Sequence, residues 1–451
     1  MKEDLTLKTY CKKIIKDALK SGIERIEVYG TYGETLSISV EEKISDYQLD
    51  IKEGICIRGQ YHRGIGEIYL EKIDYKLIPL LIKQLKQIAE TNIVCESLSL
   101  FSPGSKYEQC ELYSEELCML SPEEIANMAR KIGDEILNED KDNIVINQTS
   151  NITIALEEII LENSLGLSLY TKSNIGLAMN SVIFQKDKRC VSYFDVQAFT
   201  GIDEFAPKKI GKRMIYEGKK KLMNSARVKS SKYNTILNQR VMADLISRFY
   251  MIFSAEQIAL GNSPIKYEYD KKIFSEQITI IDDPHIGYNR RIFDDEGVPT
   301  KKIIVISSGK IKNILHNQAT AIKFHVNSTG HAVRNQEGEI GIGTSNFFIQ
   351  NGKYLESELV EKMENGILIT DLYDNFSGIN IETGDFVCPC EGMIVKSGKI
   401  KEFAENIIIS GNFMEMMKNV IAVGNNMEFR LMEGGYGSPS IYVGEMNIVS
   451  E

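Results

Sequence analysis

Five histidines, His62, His285, His316, His325 and His331, are all the imidazole available to this 451-residue chain. Histidine, cysteine and carboxylate groups at fixed helical or hairpin spacing are the most specific signal of a metal site that a single sequence can carry. No HExxH or HExxxH occurs, and residues 63–284 hold no histidine at all. His325 and His331 flank Asn327-Ser328-Thr329-Gly330 with Glu337 nearby, so a loop could gather them around a metal, although such imidazoles more often hydrogen-bond their own loop. Cys388-Pro389-Cys390 is a CxC, not the CxxC of redox and zinc sites. The expectation for these two thiols is one packed and one exposed, on opposite faces of an extended segment. Gly64-Ile65-Gly66 and the run GEIGIG at 338–343 fit neither a P-loop nor a dinucleotide-binding turn. Carboxylates gather at Asp282-Asp283 and at Asp294-Asp295-Glu296-Gly297, where acid-base or metal chemistry competes with the ordinary use of aspartate as a turn former. No serine or cysteine lies in a nucleophile elbow.

The elements that must position these groups follow from periodicity. Leu7, Cys11, Ile14, Ile15 and Ala18 share a helical face, with Gly22 as the C-cap. Period-two strands follow from Ile26 to Val40 and over 48–70, and then a helix from about Pro79 to Glu90. Ser121-Pro122-Glu123-Glu124 is a capping box with proline at the first helical position, ahead of the stripe Ile125, Met128, Ala129, Ile132 and Ile136. Strands return from about 143 to 200, with Asn163-Ser164-Leu165-Gly166 as a turn. Val241, Leu245, Phe249, Ile252 and Phe253 predict a helix of about five turns ending near Gly261. Many short strands then fill the last 180 residues or so, at the spacing of an antiparallel sheet or barrel. The expected fold class is α+β: an N-terminal mixed α/β domain over 1–205, a basic connecting segment over 206–232, and a C-terminal domain over 233–451 built on a curved, largely antiparallel sheet or barrel.

Charge sharpens the connecting segment. The chain carries 53 basic and 63 acidic side chains, net −10, yet residues 207–232 hold ten Lys or Arg against the single acid Glu217. That run reads first as a solvated helix face and secondarily as a dock for an acidic partner or nucleic acid. The acidic total argues against a dedicated nucleic-acid binder. With 43% hydrophobic residues, no apolar run of membrane-spanning length and no apolar leader, a soluble cytoplasmic protein is expected. The eight cysteines lack the tight framework of a small secreted domain and are expected to be reduced thiols.

In the second half, the succession Ile280-Ile281-Asp282-Asp283-Pro284, Phe293-Asp294-Asp295-Glu296-Gly297-Val298-Pro299-Thr300, Ser308-Gly309-Lys310 and Asn327-Ser328-Thr329-Gly330 resembles the TldD/PmbA family. The resemblance continues through Thr383-Gly384-Asp385-Phe386, Glu391-Gly392, Ile409-Ser410-Gly411-Asn412, residues 421–426 (IAVGNN) and Gly437-Ser438-Pro439, and more weakly through 58–66 and 163–166. Members of that family have been called modulators of DNA gyrase and are related to zinc-dependent peptidases. The resemblance implies two domains and dimers in which a TldD-type subunit carries zinc and a PmbA-type (TldE) subunit does not. In the active subunit an early C-terminal-domain helix carries HExxxH and a late cysteine adds a ligand. Here the matching helix reads VMADLISRFY over 241–250, and no cysteine follows Asn426. The chain is therefore expected to be the non-catalytic partner, a homodimer or heterodimer subunit with no cofactor of its own, that cleaves nothing alone. Its substrate-channel candidates are Asp294, Asp295, Glu296, Gly297, Ser328, Thr329, Gly330 and His331, with no catalytic or metal residue. Two alternatives stand beside this: an independent metal-dependent hydrolase using His325, His331 and nearby carboxylates, and a regulator that binds gyrase or nucleic acid through 207–232.

Overall fold

The computed structural model describes residues 2–41, 44–93, 98–335, 337–373, 377–432 and 434–450; Cys95 lies outside them. The N-terminal domain is one antiparallel sheet of six strands: β1 Arg25–Val40, β2 Ile44–Tyr61, β3 Gly64–Leu70, β4 Val145–Asn163, β5 Ser168–Lys186 and β6 Arg189–Phe199, in the order β3-β2-β1-β4-β5-β6. One face is covered by two helix pairs. Lys2–Lys20 and Ile78–Thr91 pack on β1–β3, and Pro122–Glu139 on β4 and β1 beside Pro207–Lys221 on β5 and β6, each pair with its own apolar core. Ser121 and Glu124 make the expected capping box, and the predicted stripe of that helix is buried. In β5, residues 174, 176, 178, 180, 182 and 184 are all buried and their neighbours are not, the period-two signature of a one-sided sheet. The opposite face of the sheet looks toward the C-terminal domain.

Gly64 and Gly66 have a packing role. A Cβ on Gly64 would lie 1.6 Å from the Ala89 carbonyl oxygen and one on Gly66 2.3 Å from that of Leu85, so the two glycines let β3 touch the backbone of the Ile78–Thr91 helix.

The C-terminal domain holds a closed five-stranded barrel and a second sheet. In the barrel, Lys399–Asn412, Asp385–Lys396, Gly366–Leu372, Ser231–Leu237 and Ile441–Ser450 pair in that order, and the last closes onto the first. All contacts are antiparallel except Gly366–Leu372 against Ser231–Leu237. The second sheet has six short strands, including Ile280–Asp282, Asn346–Ile349 and Gly435–Ser438. The helix Gln239–Phe249 lies between the two and joins one continuous core, with residues 240–247 and Phe249 buried. Asn238 caps it by accepting from the Val241 N–H at 2.9 Å.

Two expectations are corrected here. The five-turn helix is broken. The α-helix stops at Phe249, a 3₁₀ turn covers Tyr250–Phe253, Ser254 is extended, and a second helix, Ala255–Leu260, ends at Gly261 with φ 79°. Backbone bonds from Ala255 N–H to Leu315 O and from Leu315 N–H to Phe253 O, both 2.9 Å, hold the break, so a tertiary bridge overrides the helical period. Cys388 and Cys390 are both fully buried, because residues i and i+2 of a strand share a face; it is Val387 and Pro389 that point outward.

The basic run does hold a helix within the connecting segment. It is mostly the helix Pro207–Lys221, whose Arg213 meets Asp195 (3.4 Å) and Glu428 (2.6 Å), Lys219 meets Asp142 (2.6 Å), and Lys221 meets the buried Glu391 (2.5 Å). Glu391 and Glu428 belong to the C-terminal domain, so the helix clamps the two domains. Reversing the charge in Lys221→Glu sets two carboxylates together at a largely buried point and is expected to cost about 3 kcal/mol, read as a lowered urea midpoint.

Candidate functional site

The two segments singled out from the sequence fold against each other. Asp294, fully buried, accepts backbone N–H bonds from Glu296 (3.0 Å), Val298 (2.9 Å) and Ala332 (3.0 Å), and the turn passes through Gly297 at φ 83°. Burial and the neighbouring Glu296 carboxylate push Asp294 up to about 8, against those three donors, which favour its charged form. Asp295 accepts from Tyr29 OH (3.1 Å), Arg291 Nη2 (2.7 Å) and the Arg334 N–H (2.7 Å). Glu296 accepts the Gln318 N–H at 2.7 Å.

Ser328 and Thr329 both donate to the His316 carbonyl at 3.1 Å, and Thr329 Oγ1 accepts the His316 N–H at 2.7 Å. Gly330, at φ 75°, lets the chain pass 3.0 Å (ideal Cβ) from Pro299 O. His331 then sets Nε2 on Asp282 Oδ2 (3.2 Å) and Nδ1 on Thr329 O (3.0 Å). Its imidazole neighbour is not His325, which is exposed and caps a helix at φ 56°, but His316. His316 is bonded to Tyr267 OH (3.1 Å) and Thr320 Oγ1 (3.2 Å), and burial pushes it down to about 4. Among the described residues no three His, Cys, Asp or Glu side chains are grouped as metal ligands.

The helix that matches the zinc helix of the resembled peptidases carries Arg240, Asp244 and Arg248 along one side, at i, i+4 and i+8. Arg240 reaches Asp195 of β6 at 2.8 Å, and Asp244 meets Arg430 at 2.9 Å. Burial pushes Asp244 up to about 6, with Arg430 opposing and Asp371 adding. A helix with no imidazole, two guanidinium groups and a carboxylate already facing Arg430 offers a donor set that does not fit a catalytic zinc.

Where Asp295 and Arg334 meet the N-terminal sheet, a joint forms that the sequence did not disclose. Glu27 of β1, 1% exposed, accepts from Arg58 of β2 (2.8 Å) and from Arg334 of the C-terminal domain (2.5 Å). The Arg334 guanidinium also stacks 4.8 Å over the Tyr29 ring. Beside this joint the open face of the sheet, residues 288–293, Asp295 and residues 333–335 line a cavity of about 670 Å³. Glu157 of β4 stands in it, accessible to water yet ringed by protein. That enclosure raises its pKa above the ordinary carboxylate value, with Arg291 opposing and Asp295 adding. Of the channel candidates, only Asp295 lines this cavity; Asp294, Glu296, Gly297, Ser328, Thr329, Gly330 and His331 build the loops behind it. Glu157, Arg291, Arg334 and Glu27 were missed. The one available signal was Glu157-Glu158 interrupting the mostly apolar stretch 152–161 of its strand.

The fold and site together define a two-domain α+β protein whose halves enclose a polar cavity, with a peptidase-like barrel whose central helix carries ion pairs. Residues 230–450 match the family described as PmbA/TldA metallopeptidase C-terminal domain, and the chain belongs to the PmbA/TldD family. An uncharacterised protein of Methanocaldococcus jannaschii is 26% identical over 86% of this chain and 89% of its own length. A metalloprotease PmbA homologue of Buchnera aphidicola is 25% identical over 71% of this chain and 70% of its own. The crystal structure of TldE from Thermococcus kodakarensis superposes with a TM-score of 0.86 at 22% identity, covering 98% of this chain and all (100%) of that one. That of a proposed modulator of a DNA gyrase from Thermotoga maritima gives 0.86 at 24% identity over 98% and 99%. No helix among the described residues is long and apolar enough to cross a membrane.

Proposed function

We propose that the chain is a non-catalytic, TldE-like subunit of a TldD/TldE-type zinc metallopeptidase complex. It pairs with a subunit that carries HExxxH and helps enclose unfolded or short peptides, in the cytoplasm. The observation that carries this reading is the helix Gln239–Phe249: it holds no histidine, and its buried charged residues Arg240 and Asp244 are tied into ion pairs with Asp195 and Arg430. Metal, Lewis-acid chemistry and general base would all come from the partner, while this chain supplies shape and peptide-binding surface. The ion pairs of Arg213, Lys219 and Lys221 favour this over a gyrase or nucleic-acid dock through 207–232, since those three cations are met within the chain. The buried, hydrogen-bonded His331 and the separate, exposed His325 likewise favour it over an independent hydrolase.

Coexpression with a TldD-type subunit tests the reading. Proteolysis of an unfolded substrate is expected to rise at least about tenfold over either chain alone, which corresponds to roughly 1.4 kcal/mol or more of barrier. If the HExxxH subunit is equally active without this chain, the proposal fails. Stoichiometric zinc on this chain purified alone, lost in His331→Ala, would replace it with the hydrolase.

A further inference from the structure

We infer that the interdomain cavity binds the primary ammonium group of a peptide, with Glu157 as its counter-ion. This rests on the reading of the chain as a peptide-handling subunit, and it names which part of the peptide the chain holds.

The placement of Glu157 carries the inference. In the sheet register Glu157 lies directly opposite Gly33 of β1 on one side and Ser173 of β5 on the other. Residues i ± 2 on its own strand, Ala155 and Ile159, share its face. A carboxylate thus stands on a floor of small and apolar residues, and a Cβ on Gly33 would meet only Leu156 O, at 3.8 Å. Open space is left beside the carboxylate. Among the described residues no Lys, Arg or His pairs with Glu157, although charged groups are close. The nearest cation in influence, Arg291, has Nη2 committed to Asp295 at 2.7 Å, and Arg334 is committed to Glu27. Arg290 is held by the carbonyls of Gly287 and Glu111 and by the Thr200 hydroxyl. Lys52, across Gly33 from Glu157, is 81% exposed and lies 3.5 Å from Asp50.

A water-accessible carboxylate that faces a cavity and is paired with no cation is open to a cationic guest, which it attracts by charge and hydrogen bonding. The surroundings specify the guest further. Hydroxyls of Thr31, Thr171 and Ser173 can accept from the second and third N–H of an ammonium, and Ile159 and Ile175 offer an apolar wall to an aliphatic stem. A volume of about 670 Å³ is in the range of sites that bury a small ligand or a short peptide segment. Either a peptide N-terminus or a lysine side chain presents the required group.

Calorimetric titration of the full chain, alone, separates these sources. The probes are a lysine-free octapeptide with a free N-terminus, an N-acetylated octapeptide containing one lysine, and an N-acetylated lysine-free octapeptide. One or both ammonium-bearing probes are expected to bind at least tenfold more tightly than the blocked one, and the stronger of the two identifies the source. Glu157→Gln, which keeps the shape, is expected to abolish that tenfold preference. Gly33→Leu, which fills the space opposite Glu157 without altering charge, is expected to weaken both. Equal binding of the blocked peptide, unchanged preference in Glu157→Gln, or no binding by any probe overturns the inference. A chain that shows the preference yet leaves an HExxxH partner's activity unchanged would keep this site and retire the subunit reading.

Discussion

Arg334→Ala is expected to lower the unfolding free energy by about 3–5 kcal/mol, the usual result of stranding one member of a buried ion pair. The Arg334 side chain is 3% exposed and Glu27 1%, so water cannot replace the lost guanidinium. Glu27 would keep Arg58, at 2.8 Å, but one of its oxygens already has no partner among the described residues, and Arg334 is the contact that crosses between the domains. The loss should therefore fall on the joint: chemical denaturation is expected to turn from one transition into two, with the N-terminal sheet and the barrel unfolding separately. A double variant, Glu27→Gln with Arg334→Met, removes both charges and is expected to recover at least half of the loss, because an apolar pair of similar volume avoids the desolvation that the ion pair must offset. A single variant that costs less than about 1 kcal/mol would mean that the joint is solvated.

The same joint explains what the sequence could and could not disclose. Local chemistry was legible: the Ser121 capping box, the alternation of β5 and the turn at Gly166 are decided by residues a few positions apart, and each formed as expected. The motif series Asp294-Asp295-Glu296-Gly297 and Ser328-Thr329-Gly330 was also legible as a unit of the family, and it lies together in space through Ala332 and Arg334. Contacts between Glu27 and Arg334, 307 positions apart, have no periodicity to betray them. The break at Ser254 was hidden for a related reason, since the strand-like bridge to Leu315 that stops the helix lies 61 positions downstream. The positive run at 207–232, read first as a solvated helix face, hid its interdomain ion pairs because the carboxylates that meet it, Asp195, Glu391 and Glu428, are drawn from both domains.

Asp294→Ala should have an effect of similar size by a different route. It strands the N–H groups of Glu296, Val298 and Ala332, and an unsatisfied buried donor costs about 1–3 kcal/mol, so a total loss of roughly 3–6 kcal/mol is expected. The pH dependence of Asp294→Asn then distinguishes the two influences on the carboxyl. A carboxyl whose pKa in the folded chain, about 8, lies above its value near 3.9 when unfolded binds its proton more tightly in the native state. Its contribution to stability is full below the unfolded value and is lost as pH rises toward and through 8. The stability of the native chain relative to Asp294→Asn should therefore fall between pH 5 and pH 8 in paired urea titrations. If the difference instead stays flat over that range, the three backbone donors have outweighed burial and Asp294 is already ionised at pH 5. The turn behind the cavity would then be held by a charge, with the N–H groups of Glu296, Val298 and Ala332 as its counter-dipoles.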